Sequence, residues 1–307
     1  MTAAPMLTMT KPDQWESRAA VTQYLAYQLV HGRLALMLGA GVSMKFGLPK
    51  WAVLNEHLFA AVGETKPSGV DDLIAVEGLR LRHFDGNPKG FLELVQKALY
   101  ASADLSFSSL SSNRVLMSVA SLVMSSRRGS VSSVITTNYD DVLETFLNFF
   151  GFVTCSMFPD RFWNPSGDVA IYHPHGYLPS RVGERWSPEI VLDRESFSKV
   201  AGRPELPWYQ TLSTILRTHT TIFIGTGGQD QNIDSLLVGN SAMHASVDQG
   251  IPYSGIVVNM NFEKNTAAVW KNRRIYPFTV LDYDSDLPAF LLGICQSAAE
   301  LRRVPAS

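Results

Sequence analysis

Residues 34–51 have the sequence LALMLGAGVSMKFGLPKW. The apolar run Leu34–Leu38 predicts a buried strand, and the strand ends at Gly39 and Gly41, which are separated by one small residue. Glycine lets the backbone turn sharply and lets a phosphate approach main-chain N–H groups. A helical pattern resumes near Trp51. The stretch therefore predicts a strand, a glycine turn and a helix start, an arrangement that binds nucleotide phosphates.

This turn differs from the dinucleotide fingerprint of dehydrogenases. Met44 stands where the third glycine of G-x-G-x-x-G would be. Ser43 adds a hydroxyl donor to the turn. Taken alone, the stretch is equally consistent with a tight turn between two core elements.

The composition excludes several classes of protein. The chain has 307 residues, of which 46% are apolar and 18% charged, and this suits one large domain or two ordinary ones. A net charge of −2 argues against a basic nucleic-acid groove or a membrane-surface patch. Two cysteines, Cys155 and Cys295, exclude a disulfide framework and a four-cysteine zinc site. With no signal-peptide pattern and no apolar run near 20 residues, about the length of a membrane span, we expect a cytoplasmic protein.

Strand and helix patterns alternate along most of the chain, which predicts an α/β domain with a largely parallel, buried sheet. Strands are expected at 34–38, 131–136, 152–156, 168–173, 189–192, 220–225, 255–259 and 276–282. Helices are expected at 49–62, 77–84, 91–100, 114–124, 139–150, 207–218, 231–243 and 286–303.

The same patterns divide the chain. Residues 1–12 are expected to be a disordered lead, after which Asp13 could cap a helix that runs to about His31. Residues 63–130 contain no convincing strand and are expected to form a helical insertion. The α/β domain is then made of residues 13–62 and 131–303.

Four later segments carry polar residues where strands end. They are VITTNYD at 134–140, YHPHG at 172–176, IFIGTGGQDQN at 222–232 and GIVVN at 255–259. Together with the turn at 39–43, and in this order, they resemble the sirtuin-like (SIR2-like) superfamily. The resemblance is closest to bacterial SIR2-like domains that degrade NAD in anti-phage defence. It implies a Rossmann-like sheet with a helical insertion.

The resemblance also implies a set of catalytic residues. The catalytic asparagine of the family falls on Asn138, the histidine of its His-Gly pair falls on His175, and Asp140 orients neighbours or stabilises charge on the sugar. From the residues alone, Asn138 or Asp140 could equally cap the helix at 139–150. His173 and His175 could ligate a metal, but no second cluster of ligands is obvious nearby. We expect His173 to matter less than His175.

NAD is the substrate that the resemblance implies, with no metal. Asn259 would bind the adenosine ribose, and Trp51 would cover the nicotinamide end or anchor the next helix. The expected NAD-binding residues are Gly39, Ala40, Gly41, Ser43, Trp51, Thr137, Gly225, Thr226 and Asn259.

Two departures separate this sequence from the protein deacylases of the superfamily. Residues 47–52 are GLPKWA, without the acid and arginine of the deacylase segment, and the cysteines of a zinc module are missing. We therefore expect an NAD glycohydrolase that lets water attack the ribose. An NAD-dependent deacylase and a non-catalytic nucleotide-sensing subunit remain the alternatives.

A constitutive NAD-degrading enzyme would be toxic to its own cell. We therefore expect gating by a separate sensor or regulatory subunit, or by assembly into an oligomer. The helical block 63–130 is the expected gate or docking surface, with Arg80, Arg82 and Arg127 as surface charges that affect activation.

Overall fold

The central sheet has seven strands, and every pair of neighbours is parallel. The computed structural model describes residues 9–303 except 125, 127, 132, 162–165, 182–184, 201–202, 204, 227–230, 247–249 and 251. The strands are β1 Leu34–Leu38, β2 Ser133–Thr136, β3 Thr154–Met157, β4 Val169–Tyr172, β5 Thr220–Ile224, β6 Gly255–Asn259 and β7 Ile275–Thr279. Their order is β3-β4-β2-β1-β5-β6-β7.

Helices cover both faces of this sheet, so the predicted α/β, Rossmann-like fold is confirmed. The helices are α1 Arg18–Val30, α2 Trp51–Ala61, α3 Asp72–His83, α4 Pro88–Tyr100, α5 Phe107–Ser112, α6 Arg114–Val123, α7 Val142–Phe149, α8 Arg194–Val200, α9 Pro207–Thr218, α10 Gln231–Ser246, α11 Lys264–Asn272 and α12 Asp286–Arg303. Short 3₁₀ turns lie at Pro12–Glu16, Ala40–Val42 and Met44–Phe46. Four of the helices, α3 to α6, lie within residues 63–130, where the sequence predicts a helical insertion.

Strand β1 shows why the strands are apolar throughout. Leu34, Leu36 and Leu38 belong to the core on one face of the sheet, whereas Ala35 and Met37 belong to the core on the other. All five residues are buried, as a strand covered on both faces requires. Full burial of one such leucine or methionine side chain contributes about 1.5–3 kcal/mol.

The position of β1 creates a crevice. After β1 the chain forms β2 on one side of it, and after β4 it crosses to form β5 on the other side. In open parallel sheets, ligands bind at the carboxyl ends of the strands where the order reverses in this way. The crevice lies between the loops that follow β1 and β5.

The strand expected at 189–192 is not formed. The main chain of Val191 instead bonds to two loops: its N–H donates to the His175 carbonyl at 2.8 Å, and its carbonyl accepts from the Tyr139 hydroxyl at 2.6 Å. Ile190 and Leu192 are still buried in the core. Burial without a neighbouring strand explains an apolar run that is not β structure.

The N-terminal part also differs from expectation. Met9 is buried, and its carbonyl oxygen accepts from the indole N–H of Trp15 at 3.4 Å, so residues 9–12 pack with the folded chain. Residues 1–8 lie outside the described residues. Ser17, not Asp13, caps the first α-helix, because its hydroxyl accepts from the N–H of Ala20.

The helical block is joined to the rest of the molecule. α3 begins at Asp72, earlier than the expected Glu77, because Asp71 caps it by accepting from the N–H groups of Leu73 and Ile74. α6 packs against α12 and α3 packs against α8. In the described part of the chain, no helix is long and apolar enough to cross a membrane.

Candidate functional site

A cavity of about 440 Å³ lies at the carboxyl edge of β1, β2 and β4, between their loops and helices of the insertion. A volume of this size suits a small organic ligand. Its walls are mainly apolar, with a few polar side chains that converge on one side. Seven of the residues expected to act on NAD line it: Ala40, Ser43, Trp51, Thr137, Asn138, Asp140 and His175.

A second cavity, of about 190 Å³, lies on the other side of the β1 loop. It is lined by Gly39, Gly225 and Thr226 of the expected set, and Ala40 and Thr137 line both cavities. The two cavities therefore adjoin at the carboxyl ends of β1 and β2.

The glycines of the β1 and β5 loops lie against one another. A Cβ atom on Gly39 would lie 2.5 Å from the Gly225 carbonyl oxygen, and one on Gly41 would lie 2.7 Å from the Gly225 Cα. Gly225 itself has a φ of +69°, a left-handed conformation that favours glycine. The two loops approach so closely that a side chain at Gly39 or Gly41 would clash with Gly225, and this is one structural reason for glycine at these positions. Their expected contact with a phosphate stays a prediction.

A chain of hydrogen bonds joins Asn138, Ser43 and Asp140. The Asn138 Nδ2 donates to the Gly39 carbonyl at 3.2 Å and to the Ser43 Oγ at 3.1 Å. The Ser43 hydroxyl in turn donates to the Asp140 Oδ1 at 3.0 Å. Both N–H bonds of the Asn138 amide are therefore engaged, and Oδ1 is the atom that the amide can offer to a ligand.

The carboxyl group of Asp140 is buried, and its pKa is well above the ordinary value. Its pKa is raised to about 7, mainly by burial and also by the negative charges of Glu144 and Asp141, while the hydrogen bonds from the Val142 N–H and Ser43 oppose this rise. The bond from Val142, at 3.2 Å, lies at the first turn of α7. Asp140 thus accepts from the first N–H of α7, although the N-cap position itself is Asp141, and it also accepts from the cavity residue Ser43.

The two histidines occupy different environments. His175 lines the cavity and precedes Gly176, which has a φ of +99°. His173 is fully buried; its Nδ1 lies 2.9 Å from the Asn138 carbonyl oxygen and its Nε2 lies 2.8 Å from the Glu144 Oε1. Both ring nitrogens of His173 are thus occupied without a metal. Within the described residues, no group of three or more metal-ligating side chains occurs.

Asp141 connects the site to the helical insertion. Its Oδ1 lies 2.8 Å from the hydroxyl of Tyr100, at the end of α4, and its Oδ2 accepts from the N–H and hydroxyl of Ser180. Burial, followed by the charges of Asp141 and Asp140, raises the pKa of Tyr100 well above its ordinary value. Sequence reasoning assigned no role to Asp141 or Glu144, and it expected His173 to matter less than His175. The Asp140-Asp141 pair, which follows Asn138 after one intervening residue, and the H-x-H pattern were the available signals.

Of the expected residues, Gly41 lines neither cavity, and neither does Asn259. Its Oδ1 accepts from the Tyr283 hydroxyl at 2.6 Å and from the Met260 N–H at 2.8 Å. Within the part of the chain that is described, the Thr226 Oγ1 is buried without a hydrogen-bond partner. Gly227, Gly228 and Asp230 lie outside the described residues.

Comparison with known proteins relates this part of the chain to one family. Residues 132–278 match the family model of the SIR2-like domain. The matched segment is just under half of the chain, and it includes Asn138, His175, Gly225 and Thr226 but not the glycine turn after β1.

Solved structures and curated proteins add little to this match. One similar structure is a mutant Sir2 homologue in complex with 2′-O-acetyl ADP ribose, with 14% identity over 89% of this chain and 94% of that chain and a TM-score of 0.43. A likeness at this TM-score does not establish a shared fold. Comparison with curated proteins finds no match.

Proposed function

We propose that this protein is an NAD glycohydrolase, which cleaves the bond between nicotinamide and ribose to give nicotinamide and ADP-ribose. The observation that carries the proposal is the convergence of Asn138, His175, Ser43 and Asp140 on one cavity at the carboxyl edge of the sheet. Two of these residues, Asn138 and His175, also lie within the segment that matches the SIR2-like domain.

The chemistry requires little from the protein beyond placement and charge. As the C1′–N bond breaks, its electron pair neutralises the pyridinium nitrogen, and the ribose gains oxocarbenium character. The Asn138 Oδ1 can accept a hydrogen bond from a ribose hydroxyl or from the attacking water. That water adds to C1′ and loses a proton, for which the His175 imidazole is a suitable acceptor. Ionised Asp140 adds negative charge beside the developing cation.

The walls of the cavity suit the nicotinamide ring. Apolar side chains from three helices line the same cavity: Trp51 and Leu54 of α2, Leu99 of α4 and Phe197 of α8. An aromatic heterocycle among these side chains is partly removed from water, and this strengthens the electrostatic interactions at the reacting bond.

We place the rest of NAD across the β1 loop. Ala40 and Thr137 line both cavities, so a dinucleotide can pass from the first to the second beside Gly39 and Gly225. The buried hydroxyl of Thr226 is a donor for a phosphate or ribose oxygen. The proposed contact of Asn259 with the adenosine ribose would require its bond to Tyr283 to be exchanged.

We further propose that the cellular role is NAD depletion in anti-phage defence, in the cytoplasm, gated by a regulatory subunit or by oligomerisation. This part rests on the sequence resemblance. Measurement of cellular NAD after phage infection, with and without proteins encoded beside this chain, tests it. Unchanged NAD under both conditions would contradict it.

The reaction type is tested by product analysis. The purified protein is incubated with NAD, with and without an acyl-lysine peptide, and nicotinamide and ADP-ribose are quantified by chromatography. A glycohydrolase releases both products in equal amounts without the peptide. Nicotinamide release that strictly requires the peptide, with transfer of the acyl group to ADP-ribose, would identify a deacylase instead.

A further inference from the structure

The buried contact between Glu144 and His173 lies directly behind Asn138. The His173 side chain has no exposed surface, and Glu144 is 4% exposed. One ring nitrogen of His173 bonds to Glu144 and the other to the Asn138 main-chain carbonyl, at 2.8 and 2.9 Å. The Ser156 hydroxyl of β3 donates to the same Glu144 oxygen at 3.1 Å.

The proton arrangement of this contact follows from its acceptors. A carbonyl oxygen can only accept, so the His173 Nδ1 carries a proton and donates it to Asn138. The Nε2 and the Glu144 Oε1 share one further proton, as an imidazolium facing a carboxylate or as an imidazole facing a carboxylic acid. The donation to Asn138 is the same in both forms. Burial lowers the pKa of His173, but the charge and hydrogen bond of Glu144 outweigh it and the pKa is raised.

We propose that Glu144 and His173 are positioning residues, which fix the main chain of Asn138 so that its side-chain oxygen points at the reacting ribose. This inference rests on the proposed function and names residues that act behind its site. Neither side chain lines the cavity, so both act through the Asn138 carbonyl.

The rest of the Asn138 environment explains why one more bond matters. Its N–H donates to the Thr136 Oγ1 at 3.2 Å, and its amide is held by Gly39 and Ser43. The hydrogen bond from His173 fixes the Asn138 carbonyl. If the imidazole of His173 were free to turn, the peptide plane after Asn138 would lose this bond. A displacement of about 1 Å at a reacting group can cost about 10²-fold in rate.

The test compares Glu144→Ala with Glu144→Gln. The glutamine amide can donate to the Nε2 of a neutral His173 and preserve the Nδ1–H that Asn138 accepts, whereas alanine leaves the ring without a partner. We expect Glu144→Ala to lower kcat for nicotinamide release by about 10²-fold, the cost of a displaced reacting group, with little change in KM, and Glu144→Gln to recover most of it. Activities are normalised to the folded fraction.

Phe146→Leu is the matched control, because Phe146 lies on the same helix, is fully buried and is not part of this contact. It loses core packing without affecting Asn138. If Glu144→Ala lowers kcat no more than Phe146→Leu does, or if glutamine gives no recovery, the positioning role is overturned.

A second readout separates this inference from the proposed function. In protein labelled with ¹⁵N-asparagine, the side-chain amide signal of Asn138 is identified by its loss in Asn138→Ala. We expect Glu144→Ala to shift that signal and Glu144→Gln to restore it, whatever the reaction. An unchanged signal in Glu144→Ala overturns the positioning role. If Glu144→Ala shifts the signal but the wild-type protein releases no nicotinamide, only the proposed function is overturned.

Discussion

Asn138 is held at its main-chain N–H, its main-chain carbonyl and its side-chain nitrogen, by Thr136, His173 and the pair Gly39 and Ser43. The single polar atom that it can offer to a ligand, Oδ1, is therefore presented in a fixed direction. An alanine at this position removes that atom and keeps the main-chain bonds, so its effect reports on chemistry more than on folding.

We predict that Asn138→Ala and His175→Ala each lower nicotinamide release by about 10²–10⁴-fold, the usual cost of losing a positioned proton acceptor. Steady-state rates and thermal unfolding of each variant measure the effect. Asn148→Ala and His57→Ala are matched controls, because both residues are exposed on helices. Near-wild-type turnover in both cavity variants would show that the reaction does not occur at this cavity.

Asp140 gives a prediction for stability. Its pKa of about 7 in the folded protein lies above its ordinary value of 3.8, so the folded state binds the proton more tightly than the unfolded state. Its contribution to stability is therefore greatest below about pH 4 and is lost as the pH rises to 7, by about 1 kcal/mol per pH unit.

Asp140→Asn keeps an oxygen for Ser43 and Val142 and removes the buried charge. We expect the free energy of unfolding of this variant, measured in urea at several pH values, to exceed that of wild type increasingly between pH 4 and 7. A difference that is constant over this range would show that Asp140 titrates normally.

Single residues also show what the sequence could reveal. The resemblance named Asn138, His175, Ser43 and Asp140, and all four line one cavity. It did not reveal that Ser43 links Asn138 to Asp140, because Ser43 and Asn138 lie 95 positions apart and meet only through the pairing of β1 with β2. The role of His173 was missed because a histidine pattern alone does not show which ring faces the core.

At the level of secondary structure, Arg80 of α3 joins the helical block to the segment that borders the cavity. Its guanidinium lies 2.6 Å from the carboxylate of Asp193, which is buried, and 2.6 Å from the carboxylate of Glu195, which belongs to α8. Leu73 of α3 and Phe197 of α8 line the cavity itself. A shift of α3 against α8 would therefore change the shape of the cavity.

We predict that Arg80→Ala changes turnover more than it changes the Kd for NAD. The coupling free energy between the helical block and the site should change by about 0.5–2 kcal/mol. Arg82→Ala is the control: the sequence grouped Arg82 with Arg80, but Arg82 pairs with Glu64 within the block and not with the α8 segment. Turnover and binding are measured for both variants, with and without a candidate regulatory subunit. Equal effects of the two substitutions would exclude Arg80 as a link. Arg127 lies outside the described residues.

The run at 189–192 shows the limit of predicting elements from apolar pattern. The apolar run correctly predicted that this segment is buried. A strand also requires a neighbouring strand with free main-chain groups, and this segment bonds to His175 and Tyr139 instead. The strands that have parallel neighbours, such as β1 and β5, were predicted nearly to the residue.

For the whole molecule, the alternation of strand and helix patterns and the apolar strands were enough to predict an α/β domain with a largely parallel, buried sheet. Strand order was not predicted, because it depends on which side of the preceding strand each crossover connection takes. The local hydrophobic pattern of the sequence does not indicate that side. The helical block was expected as a separate insertion, yet α6 packs on α12 within the main core.

We also predict that a chelator leaves folding and activity unchanged. The proposed reaction uses an amide, an imidazole and a carboxyl group, and the described residues hold no cluster of three metal ligands. Thermal unfolding and nicotinamide release, each measured before and after dialysis against a chelator, test this. Loss of activity that returns on addition of zinc would contradict it.

The most direct test of the central claim is a single-turnover experiment with protein in excess over NAD, so that even slow, ungated cleavage is detected. Wild-type protein, Asn138→Ala and the control Asn148→Ala are each mixed with NAD without any peptide, and nicotinamide is quantified over time. We predict that wild type and Asn148→Ala release nicotinamide and that Asn138→Ala does not. Equal release by all three proteins, or no release by wild type, would contradict the claim that this cavity cleaves NAD.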